Sequence, residues 1–299
     1  MKCCLTIAGS DSGGNAGVQA DLRAFHAYGL HGCTVFTALT AQNPFGVSSI
    51  HSVPAEFVAA QLDAVLGVYD IAALKTGMLA DVKVIEVIAE RLKAHPEIKK
   101  VIDPVMIATS GAKLVSDEAM AAAEELLFPQ ATLLTPNIPE AEALLEGGSL
   151  GGTAAEDGSR YDTSPRTAVR PRPRPLQSHD LAQALQAKFG CAVLVKGGHA
   201  TEGGEAVDVL CSPAHGRGPK VEPQIVEFPL PWVANPVSTH GTGCTLAASL
   251  AAELALGRDL ASAVRGAKAT VHSAISRSFW VGANCGVLGF PQLTQSTPF

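Results

Sequence analysis

Along this chain, short runs of mainly apolar residues alternate with stretches whose apolar positions recur every three or four residues. The first run, CLTIAG (4–9), has the make-up of a buried strand and ends in glycine. In the next stretch, 17–29, Val18, Leu22, Phe25 and Tyr28 fall at helical spacing on one face. Residues 33–41 are rich in β-branched side chains and predict a strand, and 54–67 predicts a helix with Val58, Leu62, Val65 and Leu66 aligned. The alternation continues with strands at 71–77, 100–105, 131–137 and 192–198 and helices at 80–95, 116–128, 139–146 and 180–189. Strands near 206–211 and 225–228 precede two closing helices, 243–256 and 259–278.

Strands that alternate with helices build βαβ units, so the pattern predicts an α/β fold with a mainly parallel sheet covered on both faces. Ligands of such sheets bind beyond the carboxyl ends of the strands. Gly9, Gly77, Asp103, Asn137 and Gly197 all lie at predicted strand ends and are expected on one rim. One stretch breaks the pattern. Residues 147–178 have no periodicity, carry five arginines and alternate Arg with Pro. Such a composition predicts a disordered surface insertion inside a single domain spanning 1–299; a docking segment for an acidic partner is the alternative.

Composition narrows the function classes. With 299 residues, 47% hydrophobic, the chain can bury a full-size core, and its net charge of -6 excludes a general nucleic-acid binder. Seven scattered cysteines without a CxxC argue against a zinc site or a disulfide framework and for a reducing, cytoplasmic location. Asp11 and its glycine neighbours come too early for a signal peptide, and no apolar run reaches the ~18 residues of a membrane span.

Several chemistries are excluded by motif. There is no G-x-x-x-x-G-K-[ST], and GSDSG (9–13) has Asp11 where a nucleophile elbow requires serine. HGTGC (240–244) carries more, because it sits where a loop becomes a helix. The amides of Gly241, Thr242, Gly243 and Cys244 can point into one concavity, with the helix dipole behind them; this suits a transferring phosphoryl group. The same field is expected to lower the Cys244 pKa towards a thiolate, a nucleophile or general base. Asp103 in DPV, and Asn137 and Glu140 in TPNIPE, offer oxygen ligands for magnesium. Lys196 and Gly197 in VKGGH suit nucleotide phosphates. Each is an ordinary turn or strand-end residue when taken alone; together on one rim they favour phosphoryl transfer.

LTIAGSDSGGNAGVQADLRAF, TALTAQNPFGV, KTGML, IDPVM, LLTPNIPEAEALL, VLVKGGH and THGTGCTLAASLAAELA, in that order, resemble the hydroxymethylpyrimidine/phosphomethylpyrimidine kinases of thiamine biosynthesis, in the ribokinase-like superfamily. The resemblance covers about 4–146 and 180–278. It implies a three-layer α/β/α sandwich, a homodimer, and ATP- and Mg2+-dependent phosphorylation of 4-amino-5-hydroxymethyl-2-methylpyrimidine and then of its monophosphate. It further implies that Asp21 and Gln42 hydrogen-bond the pyrimidine, that Gly9, Met78 and Val105 line its pocket, that Lys196 and the 241–244 loop hold ATP, and that Asp103, Asn137 and Glu140 act on magnesium. Cys244 stands where most ribokinase-like enzymes carry a catalytic aspartate; the pyrimidine kinases carry cysteine there.

Three rivals stand beside this reading. A pyridoxal kinase of the same superfamily is the nearest, with Gln42 as the discriminating residue. A cysteine hydrolase built on Cys244 and His240 lacks an evident third orienting group. The third is a non-catalytic nucleotide-binding protein.

Overall fold

Hydrogen bonding between apolar strands generates the core of the molecule. A computed structural model describes residues 1–106, 114–147, 175–198, 204–213, 222–282 and 284–290. In chain order its elements are β1 (Cys3–Asp11), α1 (Gly17–Ala27), β2 (His31–Asn43), β3 (Gly46–Ser52), α2 (Ala55–Leu66), β4 (Ile71–Thr76), α3 (Val82–Lys93) and β5 (Lys99–Ile102). Then come α4 (Asp117–Ala122), β6 (Leu133–Leu134), α5 (Ile138–Leu145), α6 (Pro175–Phe189), β7 (Ala192–Val195), β8 (Glu205–Ser212) and β9 (Gln224–Pro231). The chain closes with α7 (Thr242–Ala255), α8 (Leu260–Ser276) and a small ribbon of β10 (Phe279–Trp280) and β11 (Gly286–Val287).

Nine strands form one sheet in the order β3-β2-β1-β4-β5-β6-β7-β8-β9. The inner pairings from β2 to β7 are parallel, and β3, β8 and β9 add antiparallel edges. Alternation along β1 sends Leu5 and Ile7 to one face and Cys4 to the other. On the first face they pack with Val58 and Leu62 of α2, Ile85 and Ile88 of α3, Leu144 of α5 and Leu185 of α6. On the second, Cys4 and Ala73 meet Phe25 of α1, Leu250 of α7 and Val264 of α8. This is the expected three-layer α/β/α sandwich, each buried Leu, Ile or Phe contributing ~1.5–3 kcal/mol.

Helix starts follow their caps. Asp81 accepts from the amides of Lys83 and Val84 to open α3, and Asp259 accepts from Ser262 to open α8. Four elements differ from the sequence expectation. β3, with its polar and exposed GVSSIHS, carried no apolar period and is held by pairing with β2. The helix expected over 116–128 is α-helical only to Ala122; a π turn (Ala123–Leu127) and a 3-10 turn (Phe128–Gln130) follow, because Pro129 has no amide to continue the ladder. The strand expected over 131–137 shrinks to Leu133–Leu134 as Pro136 and the helix cap at Asn137 take over. α6 begins at Pro175, inside the stretch assigned to the insertion; 148–174, which hold the rest of it, lie outside the described residues. No helix among the described residues is long and apolar enough to cross a membrane.

Candidate active site

The parallel order of β1, β4, β5, β6 and β7 puts their carboxyl ends side by side, and the expected rim assembles there. The Asp103 amide donates to Thr76 O, and the Gly77 amide donates to Ile7 O. Past β6, Asn137 bridges to Lys196 beyond β7. Gly9 lies within β1 rather than after it, and a Cβ at Gly9 would meet the Met78 side chain at 2.8 Å. Val105 lines a recess after β4 and β5 together with Thr76, Gly77 and Asp103.

One cluster is a buried charge network. Lys196 Nζ donates to Asp103 Oδ1 at 2.8 Å and lies 3.9 Å from Glu140 Oε2; Thr135 Oγ1 donates to the same Asp103 oxygen at 3.0 Å. Burial lowers the proton affinity of Lys196, but Asp103 and Glu140 outweigh it and raise its pKa. Burial raises the carboxyl pKa of Glu140, with Lys196 the main opposing influence. Asn137 Oδ1 accepts from the Glu140 amide while Glu140 Oε2 accepts from the Asn137 amide, a capping box for α5. The Asn137 side chain, expected at a metal, is therefore occupied as a helix cap. Asp103 and Glu140 remain as carboxylates, and the buried Thr76 hydroxyl beside Asp103 has no protein partner among the described residues. Those groups fit a largely hydrated magnesium ion, which takes one or two carboxylates and completes its shell with water and phosphate. They do not form a dedicated cage: among the described residues no three His, Cys, Asp or Glu cluster as metal ligands.

The second cluster is the start of α7. Gly241 caps the helix at φ 84°, and a Cβ there would collide with Asn15 O, so this turn requires glycine on both counts. The Thr242 amide donates to Thr239 O at 3.4 Å and the Thr245 amide to Gly241 O at 2.9 Å; those of Gly243 and Cys244, between them, precede the intrahelical ladder. A Cβ at Gly243 would lie 4.0 Å from Lys196 Nζ, so the helix mouth and the charge network face each other. The Gly197 amide, expected at a nucleotide's phosphates, is instead occupied: it donates to Asp208 Oδ1 at 2.8 Å.

Cys244 is partly buried at this mouth, where the backbone of Gly17 favours its thiolate. Its pKa is raised, not lowered as expected: burial dominates, Lys75 opposes it, and Asp21 and Asp103 add to the rise. The helix field does not overcome desolvation of a charge held among carboxylates. Asp21 also departs from expectation. It has no exposed surface; Lys75 Nζ donates to both its oxygens at 3.1 and 3.0 Å and Thr6 Oγ1 to one at 2.6 Å. The second turn of α1 points it down onto the sheet rather than out to a ligand. Gln42 is half-buried on β2, its Oε1 accepting from Thr40 Oγ1 at 3.1 Å. His240 Nε2 lies 4.0 Å from Asp11 Oδ2 and its pKa is lowered by burial against that carboxylate's pull. No hydrogen bond among the described residues joins it to Cys244, so the hydrolase pair is not assembled.

Asp11 is a residue whose role the sequence reading missed. Its carboxylate accepts from the amides of Gly13, Asn15 and Ala16, closing the N-terminal glycine loop on itself. An Asp inside a Ser/Gly/Asn cluster carries that signal. Lys75 was missed too, although a lone lysine in an apolar, doubly covered strand is conspicuous.

The phosphomethylpyrimidine kinase family model matches residues 11–157 and 173–289. The chain is 41% identical over 290 residues to the hydroxymethylpyrimidine/phosphomethylpyrimidine kinase of Haemophilus influenzae, covering 96% of this chain and 95% of that one. Among solved structures, an ADP complex of Bacillus subtilis pyridoxal kinase superposes with a TM-score of 0.79 at 30% identity, covering 97% of each chain. The phosphomethylpyrimidine kinase of Clostridium difficile superposes at 0.69 with 32% identity, over 92% of this chain and all of the other (100%).

Proposed function

This chain belongs to the phosphomethylpyrimidine kinase family, and from that we propose that it transfers the γ-phosphoryl group of ATP to the hydroxymethyl group of 4-amino-5-hydroxymethyl-2-methylpyrimidine, and then to the resulting monophosphate. It is a kinase of thiamine biosynthesis. The observation that carries the finer reading is the meeting of Lys196 with the first turn of α7 on the rim where Cys244 opens. ATP as donor is supported by the ADP complex of the pyridoxal kinase neighbour.

Each residue then has a task. The amides of Gly243 and Cys244 stabilise charge on the transferring group, and Lys196 grips the phosphates. Asp103 and Glu140 would hold a magnesium ion, which supplies neutralisation of phosphate charge when bound. Cys244 accepts the proton of the attacking hydroxyl. Gln42 offers both a donor and an acceptor to the aminopyrimidine edge, and Gly9, Met78 and Val105 form its walls. Asp21, buried beneath, acts from behind the site.

Pyridoxal is the second substrate to weigh, because a pyridoxal kinase superposes so well. Mass spectrometry after incubation with ATP, magnesium and hydroxymethylpyrimidine should show the monophosphate first and the diphosphate later. In parallel kinetics kcat/KM for hydroxymethylpyrimidine should exceed that for pyridoxal by at least ~10-fold, the range open to a polar-edge contact. A preference for pyridoxal reverses the substrate assignment, and a reaction that stops at the monophosphate removes the second step.

Leu39, Phe45 and Ile50 on the β2–β3 arm and Phe57 on α2 leave large apolar side chains exposed. They support a homodimer that covers this face. Sedimentation should give twice the chain mass; a monomer at micromolar concentration refutes it. All seven cysteines are unpaired, which supports a reducing cytoplasmic location that cell fractionation would check.

A further inference from the structure

Thr6 and Lys75 are register partners on the adjacent strands β1 and β4. By alternation they share the sheet face of Cys4 and Ala73, the face packed by α1 and α7. Neither Lys75 nor Asp21 has any exposed surface. Their charges are joined through both Asp21 oxygens, and Thr6 holds one of those oxygens at 2.6 Å. Asp21 stands one turn beyond Gly17, whose backbone favours the Cys244 thiolate. Lys75 Nζ also reaches the strand end, because a Cβ at Gly77 would lie 2.9 Å from it. An ammonium has three donors and Asp21 aims it firmly, so its position on the sheet face covered by α1 and α7 is fixed rather than averaged.

A pair this deeply buried is expensive to desolvate, and apolar residues of similar volume would hold α1 to the sheet at least as well. Its location suggests a use. We propose that Lys75 is a positioning residue for phosphoryl transfer: its buried ammonium, aimed by Asp21 and Thr6, is the fixed positive charge that lets Cys244 release its proton. The proposal rests on the kinase reading given above, in which Cys244 accepts the substrate's proton.

The charges that act on Cys244 sit on four elements: Lys75 on β4, Asp21 on α1, Asp103 past the end of β5 and Lys196 past the end of β7. Burial is the largest influence and raises the thiol; Lys75 is the largest that lowers it; Asp21 and Asp103 raise it further. Removing the Lys75 charge leaves carboxylates and desolvation less opposed. The thiol should then ionise at higher pH.

The test uses the full chain and reads the Cys244 peptide by mass spectrometry after iodoacetamide labelling across a pH series. In Lys75→Met the midpoint of labelling should move up by about one pH unit or more. Lys75→Arg, which keeps the charge, should restore most of the native midpoint. Lys75→Met alone strands Asp21, so Asp21→Asn/Lys75→Met replaces the pair by neutral groups of similar size and is the variant to rely on if the single one unfolds. It too should show a raised midpoint, because Lys75 outweighs Asp21 at the thiol. Circular dichroism identifies the folded variants. An unchanged midpoint in a folded variant lacking the lysine overturns the proposal and reduces the pair to packing. Labelling needs neither ATP nor pyrimidine, so a shifted thiol in a protein that phosphorylates nothing would sink the kinase reading, and with it the role in phosphoryl transfer, while leaving only the electrostatic link between Lys75 and the thiol.

Discussion

Replacing Cys244 by serine should lower kcat at least ~100-fold while raising KM for the pyrimidine less than about threefold. The thiol sits at the first turn of α7, beside the amides that meet the transferring group. Serine keeps the shape and the backbone, so binding survives. It cannot ionise near neutral pH, so it cannot collect the substrate's proton. Because burial holds the native thiol above its ordinary value, the free enzyme carries mostly the protonated form at neutral pH. Native kcat/KM should therefore climb as pH rises through and beyond the ordinary thiol range. Cys244→Asp makes the sharper test: a carboxylate is already ionised there, so the rising limb should move to lower pH with activity retained. Rapid-quench measurement of phosphoryl transfer across the pH range separates the cases. A serine variant with native kcat, or an aspartate variant whose profile does not move, would show that Cys244 only fills space.

The layer order was legible in the chain because the helices and inner strands have unambiguous periods. Val58 and Leu62 recur at helical spacing and are buried in α2, and Leu5 and Ile7 enter the core from β1. The rim followed from topology alone, since parallel strands must end on one side. What could not be read was the direction of individual polar side chains. Asp21 and Asp103 are both acids near strand or helix ends, yet one is sealed against Lys75 and Thr6 while the other borders the recess. The difference is set by which face of α1 meets β1 and β4, a tertiary fact. The sign of the Cys244 shift failed for a related reason. A helix terminus is visible in sequence, but the desolvation that opposes it depends on packing by α1 and on carboxylates more than 140 residues away at Asp103 and more than 220 away at Asp21. β3 escaped because its residues are polar and exposed; only the partner strand makes it a strand.

Lys196→Met should reduce kcat/KM by about 1,000-fold and destabilise the fold by ~3–5 kcal/mol at neutral pH. The lysine is the cation between Asp103 and Glu140, at 2.8 and 3.9 Å, and it faces Gly243 at the mouth of α7. Methionine fills a similar volume, so the loss is one of charge. For catalysis, the phosphates lose their fixed cation while two carboxylates remain to repel them. For stability, Asp103 and Glu140 are left buried near each other without a counter-ion. The pH dependence follows from Glu140. Its folded pKa is already raised by burial, and Lys196 is the main influence holding it down, so the variant moves it higher still. The folded variant then keeps a proton that the unfolded chain releases, so its stability is greatest at low pH and is lost as pH rises through the folded pKa. Its deficit relative to the native protein should be widest at alkaline pH and narrow on acidification, as read by urea unfolding. Adding Asp103→Asn should recover much of the stability and none of the activity, because it removes one stranded charge and restores no grip on phosphate. A deficit that widens on acidification, or kcat/KM within tenfold of native, would mean that Lys196 is an ordinary strand-end residue rather than the cation on which the rim's chemistry turns.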